Sequence, residues 1–187
     1  MNHEELLESN ANQFGGVVVV PDSLPSDAGD FGRRLGISID AWRGHGFLSV
    51  WLEIPISKSD LVPTAVNTGF SYHHAEEGYI LLSLRLLDGV ELPYYASHYI
   101  GAGGVVFNSK NDLLVVCEKR GLAKTRPRYK LPGGALHPGE HLADGVVREV
   151  LEETGIRTKF EALICLRNQH NYRYGKSDIY FVCRLVP

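Results

Sequence analysis

The chain has 187 residues, room for one medium or two small domains, with 44% hydrophobic and 22% charged residues, an ordinary globular balance. A formal charge of -3 gives no general pull toward nucleic acid or an anionic membrane. The acidic, polar N-terminus has neither a secretory nor a transit pattern, and the most apolar run, Tyr79 to Leu87, is short and carries Arg85, so no membrane span is expected.

Taken in order, residues 1–13 are expected to be a mobile tail. Val17 to Val20 reads as a short buried strand stopped by Pro21. Phe31, Leu35, Ile39 and Trp42 fall at helical spacing, which predicts a helix from Ser26, as N-cap, to Trp42. Phe47 to Ile56 alternates like a strand, and Lys58 to Asn67 reads as a helix interrupted near Pro63. His73 and His74 precede a strong strand, Tyr79 to Leu87. Adjacent histidines on a strand point to opposite faces, so local hydrogen bonding is expected there rather than a metal site. Strand and helix alternate through this half as in a small α/β module. Leu92 to Ser97 links it to a second half, giving expected domains at 14–95 and 96–187.

Beyond the link, GAGGVVF and DLLVVCEK are β-branched runs separated by Asn108 to Asp112, a hairpin signal. A basic loop follows, with Lys119, Arg120, Lys124, Arg126, Arg128 and Lys130. It is either a solubilising loop or a phosphate-binding one. Lys159 to Arg167 and Ile179 to Leu185 read as strands, joined by a polar stretch containing Gln169, His170 and Tyr172 that either lines a site or connects strands. Cys117, Cys165 and Cys183 lie in strand-like runs without CxxC spacing and read as small buried hydrophobes in a reducing compartment. A cytoplasmic location is expected, with nucleus and mitochondrion left open.

Between those halves of the second domain lies the stretch that carries chemistry. Pro132-Gly133-Gly134 and Pro138-Gly139 punctuate loops, and His141 to Thr154 reads as a helix ended by Gly155. Val146, Val147, Val150 and Leu151 form its apolar stripe. Glu149, Glu152 and Glu153, spaced i, i+3 and i+4, gather on another face, where three carboxylates repel unless a divalent cation lies between them. Hard oxygen donors of this kind suit Mg²⁺ better than zinc. Arg148, four residues before Glu152, is placed to hold that carboxylate.

Gly134, Glu140, Arg148, Glu149, Val150, Glu152, Glu153, Gly155 and Ile156 fill, without departure, the pattern that resembles the Nudix box. From about Phe14 onward the chain is similar to one branch of the Nudix superfamily, that of the antisense basic fibroblast growth factor Nudix protein and the plant ADP-ribose/NADH pyrophosphatases. WLEIPI (51–56), GFSYHHAE (69–76), LPYYASHYIGAGG (92–104), LPGG (131–134) and RNQH…GKSD (167–178) carry that likeness with the box. The resemblance implies an α+β chain: an acetyltransferase-like pre-Nudix α/β module, then a Nudix α/β/α sandwich that looks C-terminally truncated. A truncated sandwich would leave apolar sheet surface uncovered and favour pairing with a partner, a homodimer included.

The resemblance further implies Mg²⁺ or Mn²⁺ held by Glu149, Glu152, Glu153 and the Gly134 carbonyl, with Arg148 orienting a carboxylate, Glu140 as an outer acid and Glu152 as the base. Arg120, Arg128, Lys130 and His170 are the candidate substrate contacts. The implied reaction is hydrolysis of a nucleoside diphosphate linked to another moiety, ADP-ribose or NADH first, with other dinucleotides, CoA species and capped RNA as alternatives within the class. From another class, a catalytically weak regulatory or binding protein involved in growth control is the alternative. An acetyltransferase reading of the first module lacks the Gly-rich, helix-opening pyrophosphate loop it needs.

Overall fold

The computed structural model describes residues 5–117 and 128–187. They form two compact units, one running to Tyr95 and the other Ala96–Pro187.

The first unit is a five-stranded sheet with a helix on one face. Its strands are β1 (Ser9–Ala11), β2 (Gly16–Val19), β3 (Ser49–Pro55), β4 (Ser71–Glu76) and β5 (Tyr79–Arg85), in spatial order β1-β2-β3-β5-β4. Helix α1 (Ala28–Gly44) crosses over between β2 and β3, which makes that pair parallel. Phe31, Leu35, Ile39 and Trp42 of α1 pack with Val17, Val19, Val50, Leu52, Ile54, Leu82 and Leu84 of the strands. The helical spacing of those apolar residues is therefore realised as one buried stripe.

Several local expectations change. Residues 5–13 are not a tail: Leu7 is buried in the core, its N–H donates to Ser38 Oγ at 2.8 Å, and β1 pairs with β2. Asp27, not Ser26, caps α1, accepting from the Asp30 N–H at 2.7 Å. Pro63 does not interrupt a helix but lies in the first turn of α2 (Val62–Asn67), where its missing N–H costs nothing; a 3-10 segment, Ile56–Leu61, precedes it. The adjacent histidines also escape the simple alternation. A register shift between Tyr72 and His74 gives β4 a bulge, and the two rings come together with their Nδ1 atoms 2.7 Å apart. His73 Nε2 meets the Pro93 carbonyl at 2.8 Å and the His74 ring stacks on Tyr95, so these side chains hold local structure, as the hydrogen-bonding reading expected.

The second unit is a four-stranded sheet in the order β10-β11-β6-β9, made of β6 (His98–Val106), β9 (Gly133–Ala135), β10 (Lys159–Gln169) and β11 (Ser177–Val186). A small ribbon, β7 (Val116–Cys117) with β8 (Tyr129–Lys130), stands apart from it. The hairpin signal at Asn108–Asp112 is realised as a turn closed by one bridge, Phe107 to Leu113, with the Leu114 N–H on the Val106 carbonyl of β6 at 2.9 Å; beyond it the return arm pairs with β8. Helix α3 (Leu142–Thr154) packs on the sheet through Val146 and Val150, against Ala102, Val106, Cys183 and Leu185. Of the expected stripe, Val147 is partly buried and Leu151 is exposed, because α3 turns only a narrow face to the sheet. Cys183 is buried as expected, Cys117 is half-buried, and Cys165 is exposed on β10, the edge strand whose whole length faces out.

Candidate functional site

The chemistry gathers where the edge strand β9 meets α3. The turn at Pro138-Gly139, with Gly139 at φ 76°, lets the chain leave β9, reverse and enter α3 beside it. At the far end Gly155, at φ 75°, closes the helix with its N–H on the Leu151 carbonyl. With Val146 and Val150 committed to the core, the acids of α3 emerge along the β9 edge.

Arg148 organises that edge. Its Nε and Nη2 donate to the two oxygens of Glu140 at 2.7 and 2.8 Å, a bidentate pair. Nη1 donates to Glu149 at 2.9 Å and to Glu152 at 3.1 Å, and Nη2 also reaches the Ala135 carbonyl at 3.3 Å. The expected i+4 partner, Glu152, is thus the weakest of three carboxylates, and Glu140 is the strongest. Glu140 also accepts the His137 N–H at 2.9 Å. These bonds, Arg148 first and the His137 backbone second, hold its carboxyl down to about 2. Reciprocally, Glu140 and then Glu149 raise Arg148 above the usual guanidinium range.

Glu153 is held separately. It accepts the Gly133 N–H at 2.8 Å, and Lys130 Nζ lies 3.5 Å away. The three α3 acids therefore differ in state: the Glu149 side chain is 15% exposed, Glu153 30% and Glu152 57%, which leaves Glu152 the most accessible. Among the described residues, no three His, Cys, Asp or Glu side chains form a ready-made metal cluster, since the Arg148 guanidinium lies between Glu149 and Glu152. Gly134 makes a contribution besides the carbonyl ligand expected of it. A Cβ there would stand 2.6–2.7 Å from the Glu149 carboxylate, so glycine is what lets that carboxylate lie over the strand; its carbonyl faces Gly101 across the sheet. Gly133, at φ 154°, cannot carry a side chain without overlapping the Ala102 carbonyl.

A cleft of 390 Å³ opens beside this edge, lined by Lys130 and Gly133 to Ala135 on one side and by Tyr99, Tyr172, Arg173, Asp178 and Tyr180 on the other. The Tyr180 ring lies across Gly101 and Gly103, where any Cβ would collide with it. Its phenol is raised by burial first and then by the charges of Glu153 and Glu149. Of the expected substrate contacts, only Lys130 lines the cleft. Arg128 is exposed outside it, His170 turns to Ser177 Oγ at 3.0 Å, and Arg120 lies outside the described residues. The polar stretch does line the site, but through Tyr172 and Arg173 rather than His170. Tyr180 was legible as a partner of glycines: GAGG inside a strand leaves space on one face, which a ring from the neighbouring strand fills; Tyr99 carried no such signal. A larger groove of 650 Å³ belongs to the first unit; its lining, including Trp51, Leu81 and Pro93, is apolar with Glu91 as its charged group, so it offers no comparable chemistry.

Two family models match the chain, a Nudix hydrolase domain over residues 7–86 and a NUDIX domain over 97–186. The chain is similar to Nudix hydrolase 8 of Arabidopsis thaliana, at 40% identity over all of this chain and 51% of that protein. It is also similar to nucleoside diphosphate-linked moiety X motif 6 of Homo sapiens, at 39% identity over 97% of this chain and 59% of that protein. The chain thus spans about half to three fifths of these relatives. Among solved structures it is similar to a MutT protein from Methanosarcina mazei Go1, with a TM-score of 0.40 and 29% identity over 46% of this chain and 62% of that one.

Proposed function

The chain belongs to the Nudix hydrolase family, and on that premise we propose that it hydrolyses a nucleoside diphosphate linked to another moiety, ADP-ribose or NADH first, to two phosphomonoesters. The observation that carries this reading is the β9–α3 edge: the Glu149 carboxylate lies over Gly134 and Glu153 holds the Gly133 N–H and Lys130, all residues that line the cleft, while Glu152 is tied to Glu149 through Arg148. Nudix hydrolases generally use divalent metals such as Mg²⁺. The donors here fit one: all are hard carboxylate oxygens, and Gly134 keeps side-chain bulk away from Glu149.

Glu149, Glu152 and Glu153, with the Gly134 carbonyl, would hold the cation, which would supply water activation and charge neutralisation at the diphosphate. Glu152, the most exposed of the three, takes the proton of the attacking water in this reading. Arg148, anchored on Glu140, fixes the rotamers of Glu149 and Glu152. Lys130, at the cleft and 3.5 Å from Glu153, meets the substrate phosphate. We read the first unit, with its parallel β2–α1–β3 crossover, as the acetyltransferase-like pre-Nudix module.

The test is a substrate panel. The purified chain is incubated with Mg²⁺ and ADP-ribose, NADH, NAD⁺, CoA or a capped dinucleotide, and phosphomonoesters are separated by ion-exchange chromatography. AMP from ADP-ribose or NADH, abolished by EDTA, is the expected result. Turnover of CoA or the cap alone would overturn the substrate assignment, and no product from a folded sample would overturn the activity.

A further inference from the structure

Tyr99 and Tyr172 make an aromatic corner in the cleft. Their ring centroids lie 6.0 Å apart and their planes meet at 73°, so a flat ring laid on one of them meets the other edge to face. Tyr99 projects from β6 opposite Asp178 of β11, and Tyr172 comes from the loop between β10 and β11. That loop is held in an unusual shape, with Asn171 at φ 55° and Tyr174 at φ 53°, closed by the Tyr172 N–H on the Lys176 carbonyl at 2.8 Å.

Two guanidinium groups sit against the aromatic lining. Arg173 lies 5.3 Å from the Tyr172 ring centre, and Arg167, paired with buried Asp178 at 3.0 Å, lies 5.6 Å from that of Tyr180. Along β6, Tyr99, Gly101 and Gly103 share one face, and Gly103 pairs with Gly133, whose N–H holds Glu153. The corner therefore stands four residues, about 13 Å of strand, from the acidic edge. A ribose and a phosphate fill such an interval.

We propose that the Tyr99–Tyr172 corner is the base-binding subsite, taking the uncharged heteroaromatic base of a nucleoside 5′-phosphate while the diphosphate reaches the acidic edge. This rests on the hydrolase reading of the same cleft. With Asp178 balanced by Arg167, Arg173 leaves the corner one net positive charge, which favours a neutral ring such as adenine over a cationic pyridinium.

Binding of the nucleoside monophosphate, without turnover, tests this separately from catalysis. Isothermal titration compares AMP, nicotinamide mononucleotide in its oxidised form, and ribose 5-phosphate. The wild-type chain is expected to bind AMP about tenfold tighter than ribose 5-phosphate, and tighter than the pyridinium nucleotide. Tyr172→Ala and Tyr99→Leu each lower AMP affinity about tenfold and leave ribose 5-phosphate unchanged, while Tyr172→Phe keeps AMP affinity. Equal affinity for AMP and ribose 5-phosphate, or no AMP binding, overturns the subsite whatever the variants do. Tighter binding of the pyridinium overturns the neutral-base preference. AMP binding by a chain that hydrolyses no diphosphate would instead retire the hydrolase reading and leave the subsite standing.

Discussion

Arg148 holds three carboxylates, and its first partner, Glu140, is eight residues earlier, just before the helix N-cap His141. A carboxyl lowered from 4.5 to about 2 on folding favours the folded state fully above pH 4.5, and that contribution is lost as pH falls toward 2. Thermal melting of wild type and Glu140→Gln should therefore differ by a constant amount above about pH 5 and converge between 4.5 and 2; parallel curves throughout would rule out this linkage. The neighbouring glycines separate folding from chemistry. Gly133→Ala must displace the β6 backbone and should destabilise the unit, whereas Gly134→Ala meets only the end of the Glu149 side chain. The latter should cost within about 1 kcal/mol in a urea titration yet remove most turnover. The acids, Arg148 and Gly155 were legible from spacing alone. The Arg148–Glu140 preference was not, because helical i+4 geometry says nothing of a partner that precedes the helix. Nor was the His73–His74 contact, since a one-residue bulge leaves no reliable mark in sequence.

At the scale of elements, periodicity identified α1, α3, β3, β5 and β11 because each buries one face in a core. It missed β1, three residues long and dependent on its pairing with β2, and β9, whose two glycines have no pattern to show. Both are held by neighbours rather than by their own residues. Helix α3 is fixed to its sheet chiefly by Val146 and Val150, and a Cβ on Gly104 would run into Val150 and Leu185. Val150→Ala removes two methyl groups from this contact and should cost about 1–3 kcal/mol. Circular dichroism across a urea gradient measures it, and an unchanged midpoint would mean α3 is anchored elsewhere. The cleft was only half legible: its acidic side follows from one helix, while its aromatic side is assembled from β6, β11 and a loop.

Over the whole molecule, the two units have separate cores, and both tryptophans, Trp42 and Trp51, lie in the first. Tryptophan fluorescence therefore reports the first unit, and Phe31→Ala, which empties a fully buried site beneath α1, should lower its stability by about 3–5 kcal/mol in urea. A shift below 1 kcal/mol would contradict the packing described for α1. The composition change near residues 92–98 was readable because a proline-bearing, tyrosine-rich stretch separates two strand patterns. Under the proposed function, Glu152 at the β9–α3 edge drives diphosphate hydrolysis. The most direct test is kcat for ADP-ribose with Mg²⁺, wild type against Glu152→Gln, in samples matched for melting temperature. A fall of about 10²- to 10⁴-fold is predicted; equal kcat values would place the reaction somewhere other than this edge.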